Sequence, residues 1–139
     1  MMSQGSRDQG FKGSREMLKN YKELKVWEKS YQLCLEVYRI SKHFPKIEVY
    51  GLISQMRRAA LSIPSNMAEG YGRKTISEYL RFLSIAYGSI CELETQILLS
   101  GDLGYLDKDR LSKLQKGVGE VERMLQALIK SLKNKPLNP

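Results

Sequence analysis

The chain has 139 residues, of which 42% are hydrophobic and 27% are charged, as is typical of one soluble globular domain. It contains no run of about 20 apolar residues, and its start lacks the apolar segment of a secretory signal. We therefore expect a cytoplasmic protein with no membrane partner. Its 23 lysines and arginines against 15 acidic residues give a net charge of +8, which favours polyanionic partners.

The positive charge is concentrated in three segments. Residues 1–22, 23–46 and 130–139 carry net charges of +3, +2 and +3, whereas residues 47–129 balance ten basic against ten acidic side chains. We expect contacts with phosphates to come mainly from these segments and from a few further cations, although basic tails can also serve only for solubility. The candidate phosphate contacts are Arg7, Lys12, Arg15, Lys19, Lys22, Lys25, Lys29, Arg57, Arg73 and Lys74.

Residues 1–20 are rich in Gly, Ser, Gln and charge, which predicts a flexible N-terminal arm. From Tyr21 onward, apolar residues recur at steps of three and four. This spacing predicts a first helix that ends before Pro45 and buries one face. The residues of that face are Leu24, Trp27, Tyr31, Cys34 and Tyr38.

A second apolar stripe predicts helix two, and it consists of Val49, Ile53, Met56, Ala60, Ile63 and Met67. Pro64 interrupts it by removing a backbone donor, so we expect one helix that is kinked near Pro64. Gly70 and Gly72 follow, and glycine readily adopts the left-handed conformation that ends many helices.

Capping signals mark the last two helices. Thr75 and Glu78 have the spacing of a capping box before helix three, which runs to about Ser100, and Asp107 can cap helix four after a turn bracketed by Gly101 and Gly104. The sequence shows no alternating strand pattern. We therefore predict an all-α, antiparallel up-and-down four-helix bundle over residues 21–133, followed by a short tail at 134–139. The apolar stripes are Ile76, Leu80, Leu83, Tyr87, Ile90 and Ile97 in helix three, and Leu111, Leu114, Val118, Val121, Leu125, Leu128 and Leu132 in helix four.

Helix two also carries an organised polar face. At 100° per residue its members, Gln55, Arg58, Ser62, Asn66 and Glu69, fall together on the helical wheel. Such a face suits a hydrogen-bonded network or a subunit interface, contact with nucleic acid or another partner, or plain exposure to solvent. The neighbouring Arg57 and Arg58 point about 100° apart, so we expect one to anchor the network and the other to face outward.

The residues argue against catalysis. His43 is the only histidine, and no phosphate-binding GxxxxGK[ST] or GxGxxG motif is present. Glu92 and Glu94 lack the histidine partners of a di-iron site, and we expect Cys34 and Cys91 to be small apolar residues on helix faces. The tyrosines and Trp27 can stack on bases, but most have the spacing of core residues. We expect no enzyme activity, no metal and no cofactor.

Three segments carry a family resemblance: YKELKVWEKS from Tyr21, FPKIEVYGLISQMRRAALSIPSNMAEGYGR from Phe44, and FLSIAYGSICELETQI from Phe82. In these segments the chain resembles the four-helix-bundle proteins encoded in bacterial 23S ribosomal RNA intervening sequences, whose relatives include the accessory variability determinant of diversity-generating retroelements. The resemblance implies a homopentamer with a central channel and an affinity for RNA or DNA. In the retroelement branch it implies a platform for a reverse transcriptase.

We therefore expect a non-enzymatic, homopentameric basic scaffold that binds nucleic acid largely through phosphate contacts. The alternative is a protein-interaction adaptor for a reverse transcriptase, in which contact with nucleic acid is secondary. A third possibility is a bundle whose only property is assembly. Salt dependence of binding separates the first two.

Overall fold

The structure, a computed structural model, describes residues 20–135 and forms four helices: α1 Lys25–Ser41, α2 Leu52–Tyr71, α3 Ile76–Asp102 and α4 Lys108–Lys133. Two short 3-10 helices, Tyr21–Glu23 and Lys46–Glu48, precede α1 and α2. No strand occurs in this part of the chain, so the predicted all-α four-helix fold is confirmed. Residues 1–19 of the predicted arm and residues 136–139 of the predicted tail lie outside the described part of the chain. No described helix is long and apolar enough to cross a membrane.

Side-chain contacts set the direction of each helix relative to its neighbours. Near its start α1 contacts the end of α2, and near its end it contacts the start of α2, which makes the pair antiparallel. Contacts of the same kind show that α2 and α3 are antiparallel and that α1 and α4 are antiparallel. The contacts are Ser30 with Met67 and Ser41 with Arg57, Ser62 with Ser89 and Met56 with Ser100, and Lys29 with Glu120 and Glu36 with Lys113.

The core fills the space between the four helices. The largest side chains that are fully buried are Val37, Met56, Ile63, Met67, Leu83, Ile90, Leu93, Ile97, Leu114, Val118 and Leu125. Burying one such side chain contributes roughly 1.5–3 kcal/mol, so these residues dominate the stability of the bundle. Most of the predicted stripes of α2, α3 and α4 therefore face the core. Val49 is the exception in the α2 stripe, because it precedes the helix and is 46% exposed.

The buried face of α1 differs from the prediction. Tyr31 and Tyr38 are 44% and 38% exposed, whereas the core face consists of Val26, Ser30, Leu33, Cys34, Val37, Ile40 and Ser41. Helix α1 carries two apolar stripes, and its aliphatic stripe occupies the centre of the bundle. The aromatic stripe lies at its edge, where Trp27 stacks on Tyr31 with ring centroids 5.1 Å apart.

Helix α2 continues unbroken through the buried Pro64, so the prediction of a single helix is confirmed, while the kink stays a prediction. The expected left-handed ending is wrong, because Gly72 is right-handed with φ −80°. Gly70 instead serves close packing: a Cβ there would lie 2.8 Å from the Cβ of Phe82 in α3. Only a residue without a side chain lets the two helices approach this closely.

Both predicted caps form. Thr75 Oγ1 accepts a hydrogen bond from the Glu78 backbone N–H at 3.1 Å, and Asp107 Oδ1 accepts one from the Arg110 N–H at 2.8 Å. The turn between α3 and α4 contains Gly104 at φ +81°, whereas Gly101 lies inside α3. Of the two cysteines expected on apolar faces, Cys34 is buried but Cys91 is exposed.

Candidate nucleic-acid interface

The antiparallel topology gathers basic residues at one end of the bundle, where α1 and α3 begin and α2 and α4 end. We call this the basic end and define it as residues 20–31, 66–84 and 120–135. It contains ten basic and six acidic side chains, against nine and seven in the rest of the described chain. The ten are Lys22, Lys25, Lys29, Arg73, Lys74, Arg81, Arg123, Lys130, Lys133 and Lys135.

The candidate cations that sequence placed near the first helix lie at this end. Lys22 and Lys25 are exposed, whereas Lys29 is drawn toward α4 by an ion pair with Glu120 at 3.4 Å. Arg7, Lys12, Arg15 and Lys19 lie outside the described residues, and the segment that carries them joins the bundle here, at Asn20. The basic end therefore brings together Lys22 and Lys25 and the point where the arm is attached.

The turn between α2 and α3 adds a second cluster of cations to the basic end. Arg73 Nη2 lies 2.9 Å from Glu69 Oε2, and the Arg73 guanidinium sits 4.6 Å from the centre of the Phe82 ring. Arg81 lies over the same ring at 5.2 Å. Cation–π contacts of this kind orient a guanidinium without neutralising its charge. Lys74, next in sequence, is exposed.

Arg57 lies away from this cluster, and its contacts hold two helices together. Its Nε donates to Ser41 Oγ at 2.8 Å, its Nη2 donates to the Tyr38 carbonyl at 3.2 Å, and its guanidinium lies 4.8 Å from the centre of the Tyr38 ring. These contacts join α2 to α1. Arg57 was predicted to contact phosphates and Arg58 to belong to the polar network, but Arg57 is held by α1 and Arg58 is exposed.

The polar face of α2 forms a network only in part. Asn66 Nδ2 donates to both the carbonyl and the hydroxyl oxygen of Ser62, which in turn lies 2.7 Å from Ser89 Oγ of α3. Glu69 pairs with Arg73 instead. Gln55 and Arg58 are exposed and have no hydrogen-bond partner within residues 20–135. Three of the five residues of the face thus have partners inside the subunit, and two are open.

Burial and neighbouring groups shift the pKa values of Tyr87, Tyr105 and Cys34 in the described part of the chain. Electrostatic interactions, first with Cys91 and then with the Glu122 carboxylate, raise the pKa of Tyr87. A hydrogen bond to Glu48 raises the pKa of Tyr105, and burial raises the pKa of the Cys34 thiol. Within the described residues no three His, Cys, Asp or Glu side chains lie close enough together to hold a metal ion.

Sequence comparison identifies the family. Residues 22–127 match the family described as 23S rRNA-intervening sequence protein. The chain belongs to this family. No curated protein is detectably similar to it in sequence. The match to the 23S rRNA-intervening sequence proteins covers all four helices except the last turns of α4.

A solved structure has the same fold. It is the crystal structure of a protein with unknown function from the S23 ribosomal protein family of Bacteroides thetaiotaomicron VPI-5482, with a TM-score of 0.69 and 19% sequence identity. The alignment covers 76% of this chain and 98% of that chain. At this identity the likeness shows that this 23S rRNA-intervening sequence protein shares a fold with it, and no more than that.

Residues 130–139 carry a net charge of +3, but none of their lysines is among the candidate contacts predicted from the sequence. The structure places Lys130 and Lys133 at the basic end, with Arg123 two turns before them on α4. The spacing of Arg123, Lys130 and Lys133, seven and three residues apart, was the signal that could have identified them, because residues seven apart share a helix face. Without the position of α3, however, nothing marked that face as part of a site.

Proposed function

We propose that the chain is a non-enzymatic, homopentameric scaffold that binds RNA or DNA, mainly through phosphate contacts. The observation that carries the proposal is the basic end, where exposed lysines of α1, the α2–α3 turn and α4 meet the attachment point of a basic N-terminal segment. Cations grouped in this way bind phosphates and release the counterions condensed on a nucleic acid. The net charge of +8 supports the same partner through long-range attraction.

The surface shared by α2 and α3 supports self-association. Ile85 and Leu99 on α3 are 44% and 46% exposed. Leu99 lies level with Gln55, in the open part of the α2 polar face, because the neighbouring residues Met56 and Ser100 are in contact. A second copy would cover these apolar side chains and supply partners for the amide and the guanidinium. The number five comes from the family resemblance. Cyclic symmetry would set five basic ends around one axis and multiply the contacts available to one nucleic acid.

The end of the bundle opposite the basic end favours a second candidate function, a protein-interaction adaptor for a reverse transcriptase in a diversity-generating retroelement. Ile47 and Tyr50, in the connection between α1 and α2, are 87% and 93% exposed. Large apolar side chains this open to solvent suit a protein partner. In this function the phosphate contacts are secondary, and capture of the partner depends little on salt.

The test is the binding of labelled RNA and single-stranded DNA across a salt series, with the assembly mass measured in the same samples. A variant lacking residues 1–20 and the triple variant Lys22→Gln, Lys25→Gln, Lys74→Gln each remove cations at the basic end. A matched triple variant, Lys42→Gln, Lys46→Gln, Lys108→Gln, removes the same charge at the opposite end. We expect the basic-end triple to reduce the salt slope for single strands by about 2, because each lost phosphate contact removes about 0.7.

Three outcomes would contradict the proposal. If an assembled pentamer binds neither nucleic acid at low salt, binding to phosphates is not its function and the adaptor becomes the leading candidate. If both triple variants lower the affinity equally, net charge alone explains binding and the basic end has no special role. A monomer at working concentrations would overturn the scaffold part of the proposal.

A further inference from the structure

A groove of about 730 Å³ runs between α3 and α4 at the basic end. Its lining includes no residue of α1 or of the α2–α3 turn. One wall belongs to the first half of α3 and the other to the last three turns of α4. The residues that form it include Leu80, Ser84 and Tyr87 on α3, and Arg123, Lys130 and Lys133 on α4.

The α4 wall is cationic. Arg123 and Lys130 are seven residues apart, which places them on one helix face about 10 Å apart along the axis, with Lys133 about 5 Å further. All three side chains are exposed, and none of them pairs with a carboxylate of the described chain. Cations in a last helical turn also stabilise the helix dipole, but Arg123 lies too far from the end of α4 for that role.

The α3 wall is mostly apolar. Tyr87 lies level with Arg123, because its hydroxyl donates to Glu122 Oε2 at 3.3 Å. This hydrogen bond places the Tyr87 hydroxyl against α4 at one end of the groove. Leu80, two turns earlier on α3, faces the level of Lys130 at the other end, since the two helices are antiparallel. The groove therefore has a row of positive charges along one side and an aromatic and an aliphatic side chain along the other.

We infer that this groove holds a single-stranded segment of nucleic acid, with its phosphates along α4 and a base against Tyr87. Single-strand binders combine these two elements, a positively charged track for the backbone and an aromatic platform for bases. A duplex keeps its base faces stacked inside and would leave the apolar wall without a partner. The inference rests on the proposed function and adds a site to it.

The first experiment compares the full chain with Arg123→Gln, Lys130→Gln, Lys133→Gln and with the matched far-end triple Lys42→Gln, Lys46→Gln, Lys108→Gln. The probes are a labelled unstructured RNA, a single-stranded DNA of the same sequence, and an RNA duplex. We expect the groove triple to reduce the salt slope for both single strands by about 2 and the slope for the duplex by less, while the far-end triple changes neither.

The second experiment tests the platform. Tyr87→Leu should lower the affinity for the single strands roughly tenfold without changing the salt slope, because stacking does not release counterions, and Tyr87→Phe should retain the wild-type affinity. Circular dichroism confirms that each variant is folded, and the charge variants decide the question should Tyr87→Leu unfold. The inference is overturned if the wild type binds but the groove triple has the same salt slope as the far-end triple. It is also overturned if the groove triple reduces the salt slope for the duplex as much as the slope for the single strands. If the wild type binds no nucleic acid, the proposed function itself has failed.

Discussion

The hydroxyl groups of Ser62 on α2 and Ser89 on α3 lie 2.7 Å apart, and Asn66 donates a second hydrogen bond to Ser62 Oγ at 2.9 Å. Ser89 is only 8% exposed. This small polar cluster joins the two helices beside the surface on which we place the subunit contact. Because buried hydroxyls need partners, its members are expected to depend on one another.

Ser62→Ala is predicted to lower the free energy of unfolding by about 1–2 kcal/mol, because it leaves the Ser89 hydroxyl without its partner and leaves Asn66 with only the Ser62 carbonyl as an acceptor. The double variant Ser62→Ala, Ser89→Ala should cost no more than the single change, since both ends of the bond are then removed. Urea denaturation at one protein concentration measures both values. Ser65→Ala, on the exposed side of the same helix, is the control and should stay within about 0.5 kcal/mol of wild type. Additive losses would show that the two hydroxyls are not coupled.

Two helical glycines are predicted to respond in opposite ways to alanine. At Gly70 the new Cβ would lie 2.8 Å from Phe82 Cβ and 3.1 Å from the Tyr79 ring, so we expect a loss of about 1–3 kcal/mol. At Gly88 nothing lies within 4 Å, so the higher helix propensity of alanine should stabilise the subunit by about 0.5–1 kcal/mol. Thermal denaturation distinguishes them. Equal destabilisation at both positions would mean that Gly70 is not a contact point between α2 and α3.

The sequence was informative wherever the decisive interactions are local. The caps at Thr75 and Asp107 depend on residues three positions away, and the stripes of α2, α3 and α4 repeat with the period of a helix, so all of these could be predicted. In α1 the same period fits two stripes. Aromatic Tyr31 and Tyr38 and aliphatic Leu33 and Val37 both recur at helical spacing, and only packing against the other helices decides which stripe is buried.

The site was harder to predict because it depends on contacts between distant residues. Arg57 and Arg58 are adjacent and chemically identical, and only the position of α1 shows that Arg57 is the one held by Ser41. The groove of Tyr87 and Lys130 joins residues more than 40 positions apart. Spacing along the chain identifies a helix face, but it cannot identify what lies opposite that face.

Arg57 and Arg58 therefore give a matched test. Arg57→Gln should lower the free energy of unfolding by about 1–2 kcal/mol, because it removes two hydrogen bonds and the contact with the Tyr38 ring. Arg58→Gln removes the same charge from an exposed side chain and should change the stability of the subunit by less than about 0.5 kcal/mol. Nucleic-acid affinity and assembly mass are measured alongside. If Arg57→Gln weakens binding at unchanged stability, Arg57 is a phosphate contact after all.

At the far end of the bundle, the Tyr105 hydroxyl donates to Glu48 Oε2 at 2.9 Å, while Glu48 Oε1 accepts the N–H of Leu52 at the start of α2 at 3.1 Å. The carboxylate thus joins the α3–α4 turn to the beginning of α2. The bond to Glu48 raises the pKa of Tyr105 above its ordinary value of 10.0. The folded state therefore holds this proton more tightly than the unfolded state does.

The sign of the pH dependence follows from that shift. The contribution of Tyr105 to stability is complete below the unfolded pKa of 10.0 and is lost as the pH rises through the higher folded pKa. Tyr105→Phe lacks the bond at every pH, so the stability difference between wild type and variant should be constant near neutral pH and shrink above about pH 10. Urea denaturation from about pH 7 to about pH 11 measures it, and Tyr87 and the lysines cancel because both proteins contain them. A stability difference that stays constant or grows above pH 10 would mean that the Tyr105 hydroxyl does not bind Glu48. The link between the two loops would then have to come from the packing of Phe44 against Tyr105, whose ring centroids are 5.4 Å apart.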